Sequence, residues 1–235
     1  MKITWIAQGG FIFEVDGARV VVDPYMSNDL IRLGHDRMIP VPISFADLKP
    51  DIVLFTHDHL DHYDPVTVSE IVKLYPDCKF LGPTSALKHH LSLGYDSKNF
   101  KRFDIGDSYS ISTLKIIAVK AYHTEPFTIG LLISEADKLV YLSSDTLYDK
   151  SLANEILSNA DKPINLAIVC INGRLGNMPW QDAAKLVEEL SPQSAMPMHY
   201  GLFADNTQDP APFVDKISKK AITPIVPKVG KAFII

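Results

Sequence analysis

A mixed α/β fold is predicted for this chain of 235 residues. Three observations carry the prediction. Short apolar, β-rich runs separated by turn residues fill positions 2–23 and again 100–143. Each block is followed by strands that alternate with helical patterns. The resulting order is all-β, βαβ, all-β, βαβ, so the chain reads as two similar halves.

The elements follow in order. Residues 2–6, 10–15 and 19–23 read as strands, with Asp16-Gly17 as a hairpin turn between the second and third. Asp23-Pro24 ends the third strand as a turn. Residues 26–50, punctuated by Pro40, Pro42 and Pro50, show no period and read as an irregular segment, either a lid or a solvated loop. Asp51–Phe55 is a buried strand, and Asp64-Pro65 opens a helix over 65–74, with Asp64 as N-cap. A strand at 79–82 and a helix at 84–92, closed by Gly94, come next. That helix carries His89 and His90. Adjacent helical positions point about 100° apart, so the two do not easily serve one site, and both are expected at the surface. Two or three strands span 100–121, and a hairpin has arms near 127–134 and 138–143. A helix near 149–159, a strand at 166–171, a helix at 180–190 and a strand near 195–198 follow. A helix near 211–219 and two closing strands, about 222–226 and 231–235, end the chain.

Composition bounds the class. A hydrophobic content of 46% and a charged content of 22% suit a globular protein with a sizeable core. The net charge of -5 lacks the basic surplus of a dedicated nucleic-acid binder, so nucleic acid is not an expected partner. The two cysteines, Cys78 and Cys170, lie far apart and suit a reducing compartment rather than a disulfide framework. Cys170, inside an apolar run, reads as an inert core thiol. The first residues carry no basic segment followed by a long apolar one, and no run approaches the roughly 18 apolar residues of a membrane span. A cytoplasmic protein with no membrane partner is expected. Oligomeric state is left open, a homo-oligomer included.

The chemistry concentrates in Thr56–His62, T-H-D-H-L-D-H. His57, His59, Asp61 and His62 crowd three imidazoles and a carboxylate onto the loop between a buried strand and a helix start. Such a cluster is costly to fold unless a cation binds it. H-x-H-x-D-H is the signature of the metallo-β-lactamase-fold hydrolases, and the chain resembles that superfamily. The resemblance implies a single domain over 1–235 with a four-layer αβ/βα sandwich. It also gives roles to three polar residues that follow apolar strands, His123, Asp145 and His199. By the resemblance, His57, His59 and His123 hold one metal ion, Asp61, His62 and His199 hold a second, and Asp145 bridges them. Asp23 would buttress the metal loop. Two divalent ions outweigh the carboxylates, so the site would attract a small anionic substrate. Mixed imidazole and carboxylate ligands suit zinc, manganese or iron.

Within the superfamily the chain is most similar to the ascorbate-6-phosphate lactonase group. That likeness rests on Ile43–Asp64, on the segment holding Gly34-His35, and on Ile171–Ala184, I-N-G-R-L-G-N-M-P-W-Q-D-A-A. It implies a metal-dependent lactonase acting on a sugar-phosphate lactone. Asp61, lying between the two histidine pairs, is expected with the metals to orient the attacking hydroxide. A phosphodiesterase or ribonuclease of the same fold is the alternative. Arg174 is one of five arginines against 18 lysines. It sits between Gly173 and Gly176, which leave room for a ligand, and is a candidate anion binder together with His35 and Arg37. A surface ion pair is its plainer reading.

Overall fold

A computed structural model describes residues Met1–Ile235. In chain order the strands are β1 (Lys2–Trp5), β2 (Phe11–Val15), β3 (Ala18–Val22), β4 (Ile52–Leu54), β5 (Lys79–Gly82), β6 (Phe100–Arg102), β7 (Ser108–Ile111), β8 (Leu114–Lys120), β9 (Ile129–Glu135), β10 (Lys138–Leu142), β11 (Leu166–Cys170), β12 (Ser194–Met198), β13 (Thr223–Pro224) and β14 (Ala232–Ile234). They form two seven-stranded sheets, β14-β1-β2-β3-β4-β5-β6 and β13-β12-β11-β10-β9-β8-β7. In each sheet, hairpin-linked antiparallel strands come first and parallel strands joined by crossovers follow. The six α-helices are α1 (Phe45–Leu48), α2 (Pro65–Leu74), α3 (Thr84–Ser92), α4 (Leu152–Asn159), α5 (Trp180–Leu190) and α6 (Ala211–Ser218).

Side-chain alternation sets the layers. On β3, Val20 and Val22 join the core between the sheets, while Val21 faces the other way with Val53 of β4. That outer face is covered by α2 and α3 through Val68, Ile71 and Ala86. On the far side, α5 turns Ala183, Leu186, Val187 and Leu190 onto the second sheet, between α4 and α6. The result is an α/β/β/α sandwich. Each fully buried Val or Leu contributes about 1.5–3 kcal/mol relative to exposure, so the two-sided burial of β3 and β4 fixes the strand end that carries the metal loop.

Several expectations change. Residues 26–50 are not wholly irregular: a 3-10 helix spans Asp29–Leu33 and α1 spans Phe45–Leu48. Each is about one turn long, too short to imprint a period. The two closing strands stand as Thr223–Pro224 and Ala232–Ile234, the first beside β12 and the second beside β1. His90 is not a surface residue. It is buried, with Nδ1 2.8 Å from the Tyr63 hydroxyl, among Phe80, Tyr95 and Phe100. The 100° between neighbours that separates it from His89 is what turns it inward. His89 is half-buried and stacks on Tyr63. No helix is long and apolar enough to cross a membrane.

Candidate metal centre

One edge of the sandwich collects the polar loops. Asp23 follows β3, His57 to His62 follow β4, His123 follows β8, Asp145 follows β10 and His199 follows β12. Parallel strands that end together present their next residues side by side. Backbone strain gathers there as well. Gln8, Asp23, Ser144 and His199 hold left-handed φ values of 50°, 43°, 54° and 63°. Such positions cost non-glycine residues about 1–3 kcal/mol each and persist where surrounding structure over-determines them.

Six of the seven side chains expected to bind metal meet in two adjoining groups. His57, His59 and His123 form one, and Asp61, His62 and His199 the other. In the first, His59 Nδ1 lies 3.1 Å from His57 Nε2 and 3.1 Å from His123 Nε2. In the second, the edges are 3.4 Å (His62 Nε2 to His199 Nε2), 3.5 Å (His199 Nε2 to Asp61 Oδ2) and 3.8 Å (His62 Nε2 to Asp61 Oδ2). Ligands about 2.0–2.2 Å from one ion lie roughly 2.9–3.8 Å from their neighbours. The circle through the second triangle has a radius of about 2.1 Å, a metal–ligand bond length. Asp145 stands between the groups. Its Oδ1 is 3.4 Å from His62 Nε2 and 3.2 Å from His199 Nε2, and its Oδ2 is 3.8 Å from His123 Nε2. Oδ1 is buried without a hydrogen-bond partner, a state that buried carboxylates rarely keep without a cation. Spacing, donor chemistry and this orphaned oxygen fit a pair of divalent ions.

Hydrogen bonds behind the ligands fix which nitrogen faces the centre. His62 Nδ1 donates to Asp23 Oδ2 at 2.8 Å, leaving Nε2 forward. His123 Nδ1 donates to the Gly176 carbonyl at 3.0 Å. His57 Nδ1 lies 3.1 Å from Thr56 Oγ1. Asp23 also accepts from the Thr56 amide (2.7 Å) and hydroxyl (2.5 Å), and Ser144 Oγ donates to Thr56 Oγ1 at 2.6 Å. This chain ties the two sheets together directly behind the site.

The sequence reading missed Thr56, Ser144, Gln8, Gly9 and Asn177. Asn177 donates to Asp145 Oδ2 at 2.8 Å. A Cβ on Gly9 would lie 2.6 Å from His62 Cε1, so only glycine lets that ring seat. The available signal was the run Gln8-Gly9-Gly10, a polar residue and two glycines interrupting an apolar hairpin.

Charge is balanced for cations. Burial, then the neighbouring His62, holds His57 well below its ordinary pKa, and burial lowers His59 too, so both imidazoles are neutral and ready to bind metal. Burial also opposes a proton on His62 and His199. The Asp145 and Asp61 carboxylates outweigh it, raising His62 well above its usual value and pushing His199 up to about 9. Asp145 is itself held well below the carboxylate range, since His199 and His62 overcome its burial. Protons there stand where metal charge would act.

A cavity of about 370 Å³ opens on this centre, lined by Leu30, Leu33, His35, His59, Leu60, Asp61, Thr124, Leu175, Phe203 and Asn206. The 3-10 helix contributes Leu30 and Leu33, so part of the 26–50 segment forms the wall. His35 lies on this wall with Nδ1 2.9 Å from Asp205 Oδ2. Arg174 is exposed, does not line the cavity, and donates from Nη1 to the Asp205 carbonyl at 3.0 Å. His35 and Arg174 therefore both contact Asp205.

Two expectations are corrected. Arg37 does not reach the cavity: its guanidinium donates to the carbonyls of Tyr25 (2.9 Å), Ser27 (3.2 Å) and Ile39 (3.2 Å), bracing the loop. The space beside Gly173 and Gly176 is not ligand space. A Cβ on Gly173 would lie 2.3 Å from Gln208 Nε2, and one on Gly176 would lie 3.0 Å from His123 Nδ1.

An αβ/βα sandwich with H-x-H-x-D-H at its edge defines the metallo-β-lactamase class. The beta-lactamase superfamily domain matches residues 18–200, and the chain belongs to that superfamily. It is 28% identical over 233 residues to a UPF0173 metal-dependent hydrolase of Methanopyrus kandleri, across 93% of this chain and 92% of the relative. It is also 28% identical over 227 residues to a UPF0173 protein of Pyrococcus furiosus, across 96% and 95%. Among solved structures, Igni18, a novel metallo hydrolase from Ignicoccus hospitalis, superposes with a TM-score of 0.80 at 23% identity, covering 100% of this chain and 98% of that one.

Proposed function

We propose that this metal-dependent hydrolase cleaves a small anionic ester, in its narrowest form a sugar-phosphate lactone. One observation carries the reading. The cavity of about 370 Å³ reaches His59 and Asp61 directly and includes neither lysine nor arginine among its ten lining residues. A volume at the small end of ligand pockets suits a compact substrate, and a polynucleotide would need a basic track. Leu30, Leu33, Leu60, Leu175 and Phe203 suit the apolar face of a ring or short chain, while His35 offers a hydrogen bond to an anionic end.

His57, His59, Asp61, His62, His123, Asp145 and His199 would hold a pair of divalent ions, which would supply Lewis acidity and activation of water at neutral pH. The chain's own residues do the rest. Asp61, on the cavity wall, takes a hydrogen bond from the attacking water and orients it. The apolar wall excludes competing water. His35, on the cavity wall, would bind the anionic end, with Arg174 approaching from outside the lining where both meet Asp205.

The test is a substrate panel with the metal-loaded protein: phosphorylated and unphosphorylated lactones, simple esters, a phosphodiester and RNA. Lactones or esters should give the highest kcat/KM. Preference for a phosphodiester or RNA would replace this reading with a phosphodiesterase or ribonuclease.

A further inference from the structure

The second ligand group has an unassigned neighbour. Gln8 lies in the turn between β1 and β2 and is fully buried. Its backbone is held in place: the carbonyl accepts from Trp5 Nε1 at 3.0 Å and from the His199 amide at 3.3 Å. The turn needs left-handed φ at both Ala7 (79°) and Gln8 (50°). That strain delivers the side-chain tip to the site, 2.8 Å from Asp61 Oδ2 and 3.2 Å from His199 Nε2. The second length falls within the range between neighbouring ligands of one ion, and the first lies just below it.

The triangle of Asp61, His62 and His199 adds to this. A circle radius of about one bond length puts an equidistant ion close to the plane of the three donors, leaving both faces of that plane for other ligands. Asp145 Oδ1 approaches the two histidines at 3.4 and 3.2 Å. The Gln8 tip approaches Asp61 and His199. Hydrogen bonding alone leaves Gln8 half used, because its Oε1 is buried with no partner. A half-turn about Cγ–Cδ exchanges Oε1 and Nε2 without moving the chain, and the two ends differ only in what they bind.

We propose that Gln8 is itself a ligand of the second ion, through Oε1. The inference rests on the two-ion reading. It makes the centre unequal: three imidazoles and a carboxylate oxygen on one side, and two imidazoles, two carboxylate oxygens and an amide oxygen on the other. Oxygen-rich sets suit harder ions, so the second position should favour manganese over zinc more than the first does.

The test is titration of the metal-free, full-length protein with Mn(II), read by calorimetry and by electron paramagnetic resonance. The parent should bind two ions. Gln8→Ala should keep one and bind the other at least tenfold more weakly, the scale already seen when mere outer contacts of a metal site are lost. Gln8→Glu, which keeps an oxygen at the same reach, should bind both ions at least as tightly as the parent. All three residues carry a Cβ, so the left-handed turn burdens them alike. Tight binding of two ions by Gln8→Ala would overturn the proposal. So would a loss in Gln8→Glu equal to that in Gln8→Ala, which would make the amide N–H bond to Asp61 the only role. A parent that binds a single ion would sink the two-ion reading and this inference with it, a failure visible before any variant is made.

Discussion

Asp23→Asn separates the ligands from what holds them. The parent carboxylate accepts three hydrogen bonds, from the Thr56 amide, the Thr56 hydroxyl and His62 Nδ1. Asparagine keeps the shape and one acceptor oxygen. With that oxygen on the Thr56 amide, the NH₂ faces His62 Nδ1–H donor against donor, while the Thr56 hydroxyl can turn to accept from it. His62 escapes only by carrying its proton on Nε2, the atom that faces the metal. Hydrogen bonds to a charged acceptor are worth about 1.5–3 kcal/mol each. Losing the His62 bond costs roughly 1.5–3 kcal/mol, still a sizeable share of the 5–15 kcal/mol that holds a typical domain together. The second ion should bind about 10–100-fold more weakly, as when other carboxylate–histidine supports are removed. Urea unfolding of the metal-free protein reads the first effect, and metal titration reads the second. If Asp23→Asn unfolds at the parent's urea midpoint and binds the second ion with the parent's affinity, Asp23 is a turn residue and nothing more.

Three other outcomes are expected. Asp61→Asn should retain the fold and lose about 100-fold or more in rate, the usual scale for acid–base groups; full activity would exclude its role in orienting water. In the metal-free protein, the folded pKa of His199, about 9, stands above an unfolded value near 6.5. Its stabilising contribution is complete below about pH 6.5 and is lost as pH rises through about 9. Urea midpoints should therefore fall across that window, while a flat profile would contradict the ion pairing with Asp145 and Asp61. Arg174→Ala should raise KM for a phosphorylated lactone far more than for its unphosphorylated analogue; equal losses would make Arg174 structural.

Much of the fold was legible because its elements carry their own signals. The helix over 65–74 has Asp64 as cap and Pro65 at its start, and that of 180–190 has an apolar stripe, and both stand at the expected bounds. The candidate ligands were legible through local crowding at 57–62 and through the resemblance for His123, Asp145 and His199. Contacts between distant segments were not legible. Gln8 meets Asp61 across 53 positions, and Ser144 meets Thr56 across 88, with no periodicity to announce either. Arg37 and His90 show the same limit. Composition marks a cation or a histidine as polar, but only packing reveals that one is spent on backbone carbonyls and the other on Tyr63.

The most direct measurement is metal content per chain after reconstitution, for the parent, His59→Ala and His199→Ala. Two ions are expected in the parent. One should remain in each variant, with the His59 and His199 substitutions emptying different positions. Variants that bind as much metal as the parent would contradict a centre built from His57, His59, Asp61, His62, His123, Asp145 and His199.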